Sequence, residues 1–166
     1  MQLTHYNSKF KNQTFPIILV CDNVTNAPNI GSLFRICDAF GVEKLILCGE
    51  NINIGRKVAK TSRATEKVVN FDICKSAYSV VQELKMNGYQ LISLEITDTS
   101  KSIQTFTFSN KKPIALIIGD ENFGISNDIL SDSEIIVHID MFGQNSSMNV
   151  VQATNIALYE LTKQLM

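Results

Sequence analysis

The sequence predicts an α/β fold with a mostly parallel central sheet flanked by helices, and three observations predict it. Short β-rich apolar runs alternate with longer segments of helical period along the chain. Most of the runs are continuously apolar, as strands covered on both faces must be. No internal repeat, low-complexity tract or Pro/Gly/Ser-rich linker interrupts the 166 residues, which contain only three prolines. One domain over residues 1–166 is therefore expected, with residues 1–15 a short N-terminal extension.

The strands are expected at Pro16 to Asp22, Lys44 to Cys48, Val68 to Phe71, Gln90 to Glu95, Ile114 to Ile118 and Glu134 to Ile139. Between the first two, Ile30, Leu33, Phe34 and Cys37 recur at i, i+3, i+4, i+7, with Asn29 after Pro28 as an N-cap and Gly41 as the stop. A second helix carries Ala77, Val80, Val81 and Leu84 and ends near Asn87-Gly88, a pair suited to a left-handed cap. The last helix, from Met148 to about Gln164, is expected to present Ala153, Ile156, Ala157 and Leu161 on one side, with Val150 one turn earlier.

Composition excludes several classes. With 45% apolar and 19% charged residues the chain has material for a core and no signature of disorder. The longest apolar stretches, such as Ile17 to Cys21, fall short of the roughly 20 residues of a membrane span, so no membrane partner is expected. Met1 to Thr14 is polar and lacks an apolar h-region, so a cytoplasmic location is expected. Cysteines at 21, 37, 48 and 74 form no Cys-x-x-Cys pair and read as buried thiols of a reducing compartment. His5 and His138 offer no metal-ligand spacing, so no metal is expected.

The net charge of −1 argues against a general nucleic-acid coat, yet the charges are unevenly placed. From Lys44 to Lys67, six cations face two carboxylates, a net of +4, and Arg56, Lys57, Lys60 and Arg63 make that stretch a candidate phosphate-facing surface; a solvated helix face would look the same. From Pro113 to Met166, Lys163 stands against seven carboxylates, a net of −6.

Three segments resemble neither plain core nor plain surface. In Asn26 to Arg35 a strand ends and a helix begins with free backbone N–H groups, and Arg35 could grip a phosphate with two hydrogen bonds; a cap and a surface arginine would also account for the pattern. In Ile117 to Gly124 a buried strand runs into Asp120 and Glu121 between glycines, at the strand end where open α/β sheets bind ligands, although a polar turn is the plainer alternative. The P-loop lysine is missing there, which disfavours a nucleoside triphosphate site. In Ile139 to Val150 a strand end, loop and helix start recur, with Ser146 or Ser147 a natural cap.

In this order and spacing the three segments resemble the motifs of the SpoU (TrmH-like) family of RNA 2′-O-ribose methyltransferases, within the SPOUT superfamily, over about residues 16 to 163. Lys60 to Thr65 resembles the Lys-Thr-rich stretch between its first and second motifs. The resemblance implies a C-terminal deep trefoil knot, a rare exception to unknotted topology, with S-adenosyl-L-methionine held there near Leu94, Gly119, Ile139 and Met148. It implies Asn29, Arg35, Glu121, Ser147 and Asn149 as catalytic residues. It also implies a homodimer in which Arg35 approaches the partner's cofactor site. Two positions depart from the pattern: Met148 replaces the usual leucine, and Asp120 stands where many relatives carry a small residue.

The expected partner is structured RNA, transfer RNA in preference to ribosomal RNA because the chain is short and has no sizeable RNA-recognition domain ahead of Pro16. The alternatives are a catalytically silent RNA-binding protein on the same fold, and a doubly wound domain for another nucleotide cofactor. The second lacks a Gly-x-Gly-x-x-Gly turn.

Overall fold

The computed structural model describes residues 10–109 and 111–166; His5 lies outside them. Seven strands form one sheet: β1 (Phe15–Asp22), β2 (Val42–Cys48), β3 (Phe71–Cys74), β4 (Gln90–Leu94), β5 (Lys101–Ser102), β6 (Ile114–Gly119) and β7 (Ile135–His138). Their order is β3-β2-β1-β6-β4-β7-β5, and every pairing is parallel. The helices are α1 (Ala27–Ala39), α2 (Arg56–Ser62), α3 (Ala77–Met86), α4 (Asn127–Asp132) and α5 (Val150–Leu165).

Strand alternation sends neighbouring residues to opposite faces. Ile17, Leu19, Cys21, Leu116 and Ile118 meet Leu33 and Phe34 of α1 and Leu158 and Leu161 of α5 on one face. Ile18, Val20, Ala115 and Ile117 meet Val81 and Leu84 of α3 and Ile129 of α4 on the other. Both faces are covered, which is why the central strands read as unbroken apolar runs. All four cysteines are free, and three are buried.

The strand order reverses between β1 and β6, where Asp22 and Gly119 are register partners. The carboxyl ends of the strands are the usual ligand position in open parallel sheets, and the loops after β4, β6 and β7 gather there.

Several boundaries differ from the sequence reading. The strand expected at Val68 to Phe71 begins only at Phe71, because a 3-10 turn over Thr65–Lys67 takes the preceding amides: Val68 and Val69 both donate to the Thr65 carbonyl. Strand β7 covers Ile135–His138, shorter than expected at both ends. The N-cap of α1 is Asn26, not Asn29; its side chain accepts the Asn29 N–H at 3.2 Å, and Pro28 occupies the first turn. Helix α5 begins at Val150, capped by Asn149 through the Val151 N–H at 2.9 Å, so neither Ser146 nor Ser147 caps it. Its buried stripe runs through Thr154, Ala157, Leu158, Leu161 and Thr162, leaving Ile156 exposed. The two-residue edge strand β5 and the short helix α4 carry too little periodic sequence to be expected.

Candidate active site

The first-motif turn places Asn29 inside the first turn of α1, since Asn26 already serves as cap. The Asn29 side chain is thereby free for long-range bonds, and it makes two. Its Nδ2 donates to Glu121 Oε1, and its Oδ1 accepts from Asn149 Nδ2 at 3.3 Å. The Asn149 oxygen meanwhile caps α5. Residues 29, 121 and 149, far apart in the chain, thus form one hydrogen-bonded row in which both ends of the Asn29 amide are fixed.

Glu121 projects from a loop that folds tightly back on β6. The Asp120 carboxylate accepts the N–H groups of Asn122 and Phe123 at 2.8 and 3.0 Å, and the Gly124 N–H returns to the Asp120 carbonyl at 2.8 Å. A Cβ on Gly119 would stand 2.2 Å from the Gly124 carbonyl carbon and 2.4 Å from the Ile125 nitrogen, so only glycine admits this return. Gly124 has φ +67° and faces the Glu95 carboxylate, against which a Cβ would lie at 2.5 Å. Glu95 bridges the two walls, accepting the Ile96 N–H at 3.0 Å and the Ile125 N–H at 3.1 Å.

These loops enclose a cavity of about 460 Å³, within the size range of small-molecule sites. Leu94, Gly119, Ile139 and Met148 all line it, as do Glu121 and Ser147. Asn29 and Asn149 stand outside the lining and reach it through Glu121. Arg35 is exposed on α1, does not line the cavity and makes no side-chain bond among the described residues. Arg56, Lys57, Lys60 and Arg63 are exposed on and just after α2, also away from the lining. That helix lies against α1 at Gly31, where a Cβ would meet Thr61 Oγ1 at 2.0 Å.

The lining carries Glu95, Asp120 and Glu121 and neither Lys nor Arg, which suits a cationic ligand better than a phosphate-bearing one. His138 borders the same cavity, with Nδ1 2.9 Å from Ser100 Oγ and Nε2 3.3 Å from Asp140. Among the described residues no group of three His, Cys, Asp or Glu side chains is arranged to hold a metal. Burial pushes the Cys21 and Cys37 thiols up and that of Cys48 up to about 12, so these sulfurs stay protonated and unreactive.

The sequence reading missed Glu95 as a site residue and left Asp120 without a role. The available signal was shared: each is an acid at the carboxyl end of a buried parallel strand, as is Asp22.

The fold and site define a class: a parallel α/β domain with a ligand pocket built from three loops at the carboxyl ends of β4, β6 and β7. Residues 16–159 match the SpoU rRNA Methylase family, and the chain belongs to it. It is 32% identical over 155 residues to a tRNA (guanosine(18)-2′-O)-methyltransferase of Saccharomyces cerevisiae, covering 90% of this chain and 10% of that protein. It is 29% identical to the Aquifex aeolicus tRNA (guanosine(18)-2′-O)-methyltransferase, covering 89% of this chain and 69% of that one. The crystal structure of the A. aeolicus TrmH/SpoU tRNA modifying enzyme superposes with a TM-score of 0.82 at 28% identity, over 92% of this chain and 77% of that one. The fold is also that of the Streptomyces viridochromogenes SpoU methyltransferase AviRb in complex with AdoMet: TM-score 0.78 and 24% identity, over 94% of this chain and 62% of that one. This chain spans a tenth of the yeast relative and 59% of a Ralstonia nicotianae 23S rRNA (guanosine-2′-O-)-methyltransferase, RlmB.

Proposed function

We propose that the chain is a single S-adenosyl-L-methionine-dependent methyltransferase domain acting on a ribose 2′-hydroxyl of structured RNA. The observation that carries this reading is the bonded row of Glu121, Asn29 and Asn149 at a cavity whose lining bears acids and no fixed cation. Family membership supports it; relatives named for transfer RNA and for 23S ribosomal RNA both occur, and the reading takes transfer RNA as the substrate.

When bound, S-adenosylmethionine supplies an electrophilic methyl group on a cationic sulfur. Leu94, Ile139 and Met148 offer it apolar contact, and the acidic wall complements its charge. The chain's own groups then have to align the ribose hydroxyl and stabilise charge growing on its oxygen as the proton leaves. Arginine stays protonated, so Arg35 acts as phosphate clamp and charge stabiliser rather than as base. Glu121 positions Asn29, and Asn29 positions Asn149. The Ser147 hydroxyl, on the cavity wall, is available to orient substrate.

The reading includes the trefoil knot of the superfamily, a homodimer that brings Arg35 to the partner's pocket, RNA contacts through Arg56, Lys57, Lys60 and Arg63, and a cytoplasmic location. Among the described residues no helix is long and apolar enough to cross a membrane.

Calorimetry with S-adenosylmethionine, followed by methylation of bulk RNA and mapping of the modified ribose, tests the proposal. A saturable site and a 2′-O-methyl product are expected. Saturable binding without transfer to any RNA would favour a silent RNA-binding protein, and absence of binding would remove the reading.

A further inference from the structure

The loop that carries Glu121 has its backbone amides bonded one after another. Asn122 and Phe123 donate to the Asp120 carboxylate, Gly124 to the Asp120 carbonyl, Ile125 to Glu95 and Ser126 to Asp22 Oδ2, the last at 2.9 Å. Five successive N–H groups are held by three acids drawn from the ends of three strands. Asp22 differs from the other two in being buried, with 6% of its surface exposed. Its side chain makes no ion pair among the described residues; its second bond is from Asn23 Nδ2 at 3.4 Å. A buried carboxylate is costly unless hydrogen bonds offset its lost hydration, and for Asp22 those come from the Ser126 amide and the Asn23 side chain.

Asp22 ends the strand that launches the turn bearing Asn29, and it grips the loop bearing Glu121 at the loop's far end, Ser126. It therefore sets the separation of the two elements whose side chains meet at the Asn29–Glu121 bond. We infer that Asp22 is a positioning residue for methyl transfer, acting through Glu121: its carboxylate fixes the loop so that Glu121 stays on Asn29. This rests on the methyl-transfer reading above. A displacement of about 1 Å in such a constellation is enough to lower turnover by about a hundredfold.

The test combines kinetics with a measurement that needs no activity. Asp22→Ala removes the acceptor, and Asp22→Asn keeps one oxygen for Ser126. At saturating cofactor and RNA, Asp22→Ala should lower kcat by about 10- to 100-fold with both KM values within about threefold, while Asp22→Asn stays within about fivefold of the parent. In a Glu121→Ala background the same Asp22→Ala change should cost less than about threefold, since the group it acts through is gone. An equal cost in both backgrounds overturns the proposal. Should Asp22→Ala not fold, Asp22→Ser, whose shorter side chain withdraws the acceptor from Ser126, is compared with the parent by NMR amide exchange: faster exchange at Ser126 with shifted Asn29 side-chain signals supports the role, and faster exchange with unchanged Asn29 signals refutes it. If the parent methylates no RNA, the functional reading fails while the NMR result still judges the positioning.

Discussion

The acidic C-terminal third and the basic surface around α2 use their charges in opposite ways. Between Pro113 and Met166, Asp120, Glu121, Asp132, Glu134, Asp140 and Glu160 each have a hydrogen-bond or ion-pair partner within the chain. Only Asp128, in the first turn of α4, has none among the described residues. Of the six cations from Lys44 to Lys67, only Lys44 is paired, with Asp72 at 2.5 Å; Arg56, Lys57, Lys60, Arg63 and Lys67 have no ion-pair partner among the described residues. In the C-terminal third negative charge is mostly bonded within the chain, and on the α2 surface positive charge stays free in solvent. The stretch around α2 keeps its cations open to solvent despite a net charge of −1, because most carboxylates of the C-terminal third are bonded elsewhere in the chain.

The contrast breaks most visibly at its acidic end. Asn29→Ala should cut methyl transfer by about 10²- to 10³-fold, the scale of losing one preorganised polar group, because it severs Glu121 from Asn149. Cofactor affinity by calorimetry should hold, since Asn29 does not line the cavity. Single-turnover kinetics check the first expectation, and near-normal turnover would remove the row from the chemistry. At the basic end, replacing Arg56, Lys57, Lys60 and Arg63 together with glutamine should weaken RNA binding at least tenfold. It should flatten the slope of log affinity against log salt by about 3, close to 0.7–0.9 per lost phosphate contact. An unchanged slope would show that these cations face no phosphate.

How much of this was legible beforehand depended on range. Ile17 to Cys21 and Ile114 to Ile118 announce central strands because burial on both faces leaves a local trace in the residues themselves. Val68 and Val69 carry the same β-forming trace but donate to Thr65, since a turn with closer partners wins the amides first. Asn26 and Asn29 are both cap-forming residues, but Pro28 belongs to the first helical turn and sets the cap ahead of it at Asn26; what that frees Asn29 to reach, Glu121 92 residues away, no period encodes. Glu95 and Asp22 sit within or at the end of runs whose signal is hydrophobic, so their acceptor roles emerge only when the 119–126 loop lies across them. The meeting of the three segments was reachable from sequence through family resemblance and not through spacing.

A smaller effect concerns how the basic surface is mounted. Gly31→Ala would place a methyl 2.0 Å from Thr61 Oγ1, 2.5 Å from the Val58 carbonyl and 2.9 Å from the Ser62 nitrogen. Thr61 can rotate, but the backbone atoms cannot move without shifting α2. The expected cost is about 1–3 kcal/mol of stability, or a fall in Tm of about 2–12 °C for a domain of this size. Differential scanning calorimetry measures it, and an unshifted Tm would mean that α2 is not fixed by this crossing.

The least of the effects sharpens the account of the acids. Asp132 on α4 accepts from Lys85 Nζ at 2.7 Å and Gln82 Nε2 at 2.6 Å, joining α4 to α3. The Lys85 hydrogen bond holds the Asp132 carboxyl below the usual carboxylate range, and the Asp132 bond raises Lys85. A depressed carboxyl contributes stability above its unfolded value of about 3.9, and loses it as pH falls through the folded value. A raised lysine contributes below its unfolded value of about 10.4, and loses it as pH climbs through the folded one. The pair therefore acts across the neutral range and fades at both ends. Asp132→Asn should unfold at lower urea than the parent near pH 7, and the two midpoints should converge as pH drops well below 4. Both side chains are partly in solvent, so the gap should also shrink with added salt. Midpoints that stay apart at pH 2.5 would mean that the carboxyl contributes by shape and not by charge, and the division between engaged acids and free cations would no longer rest on electrostatics at this helix pair.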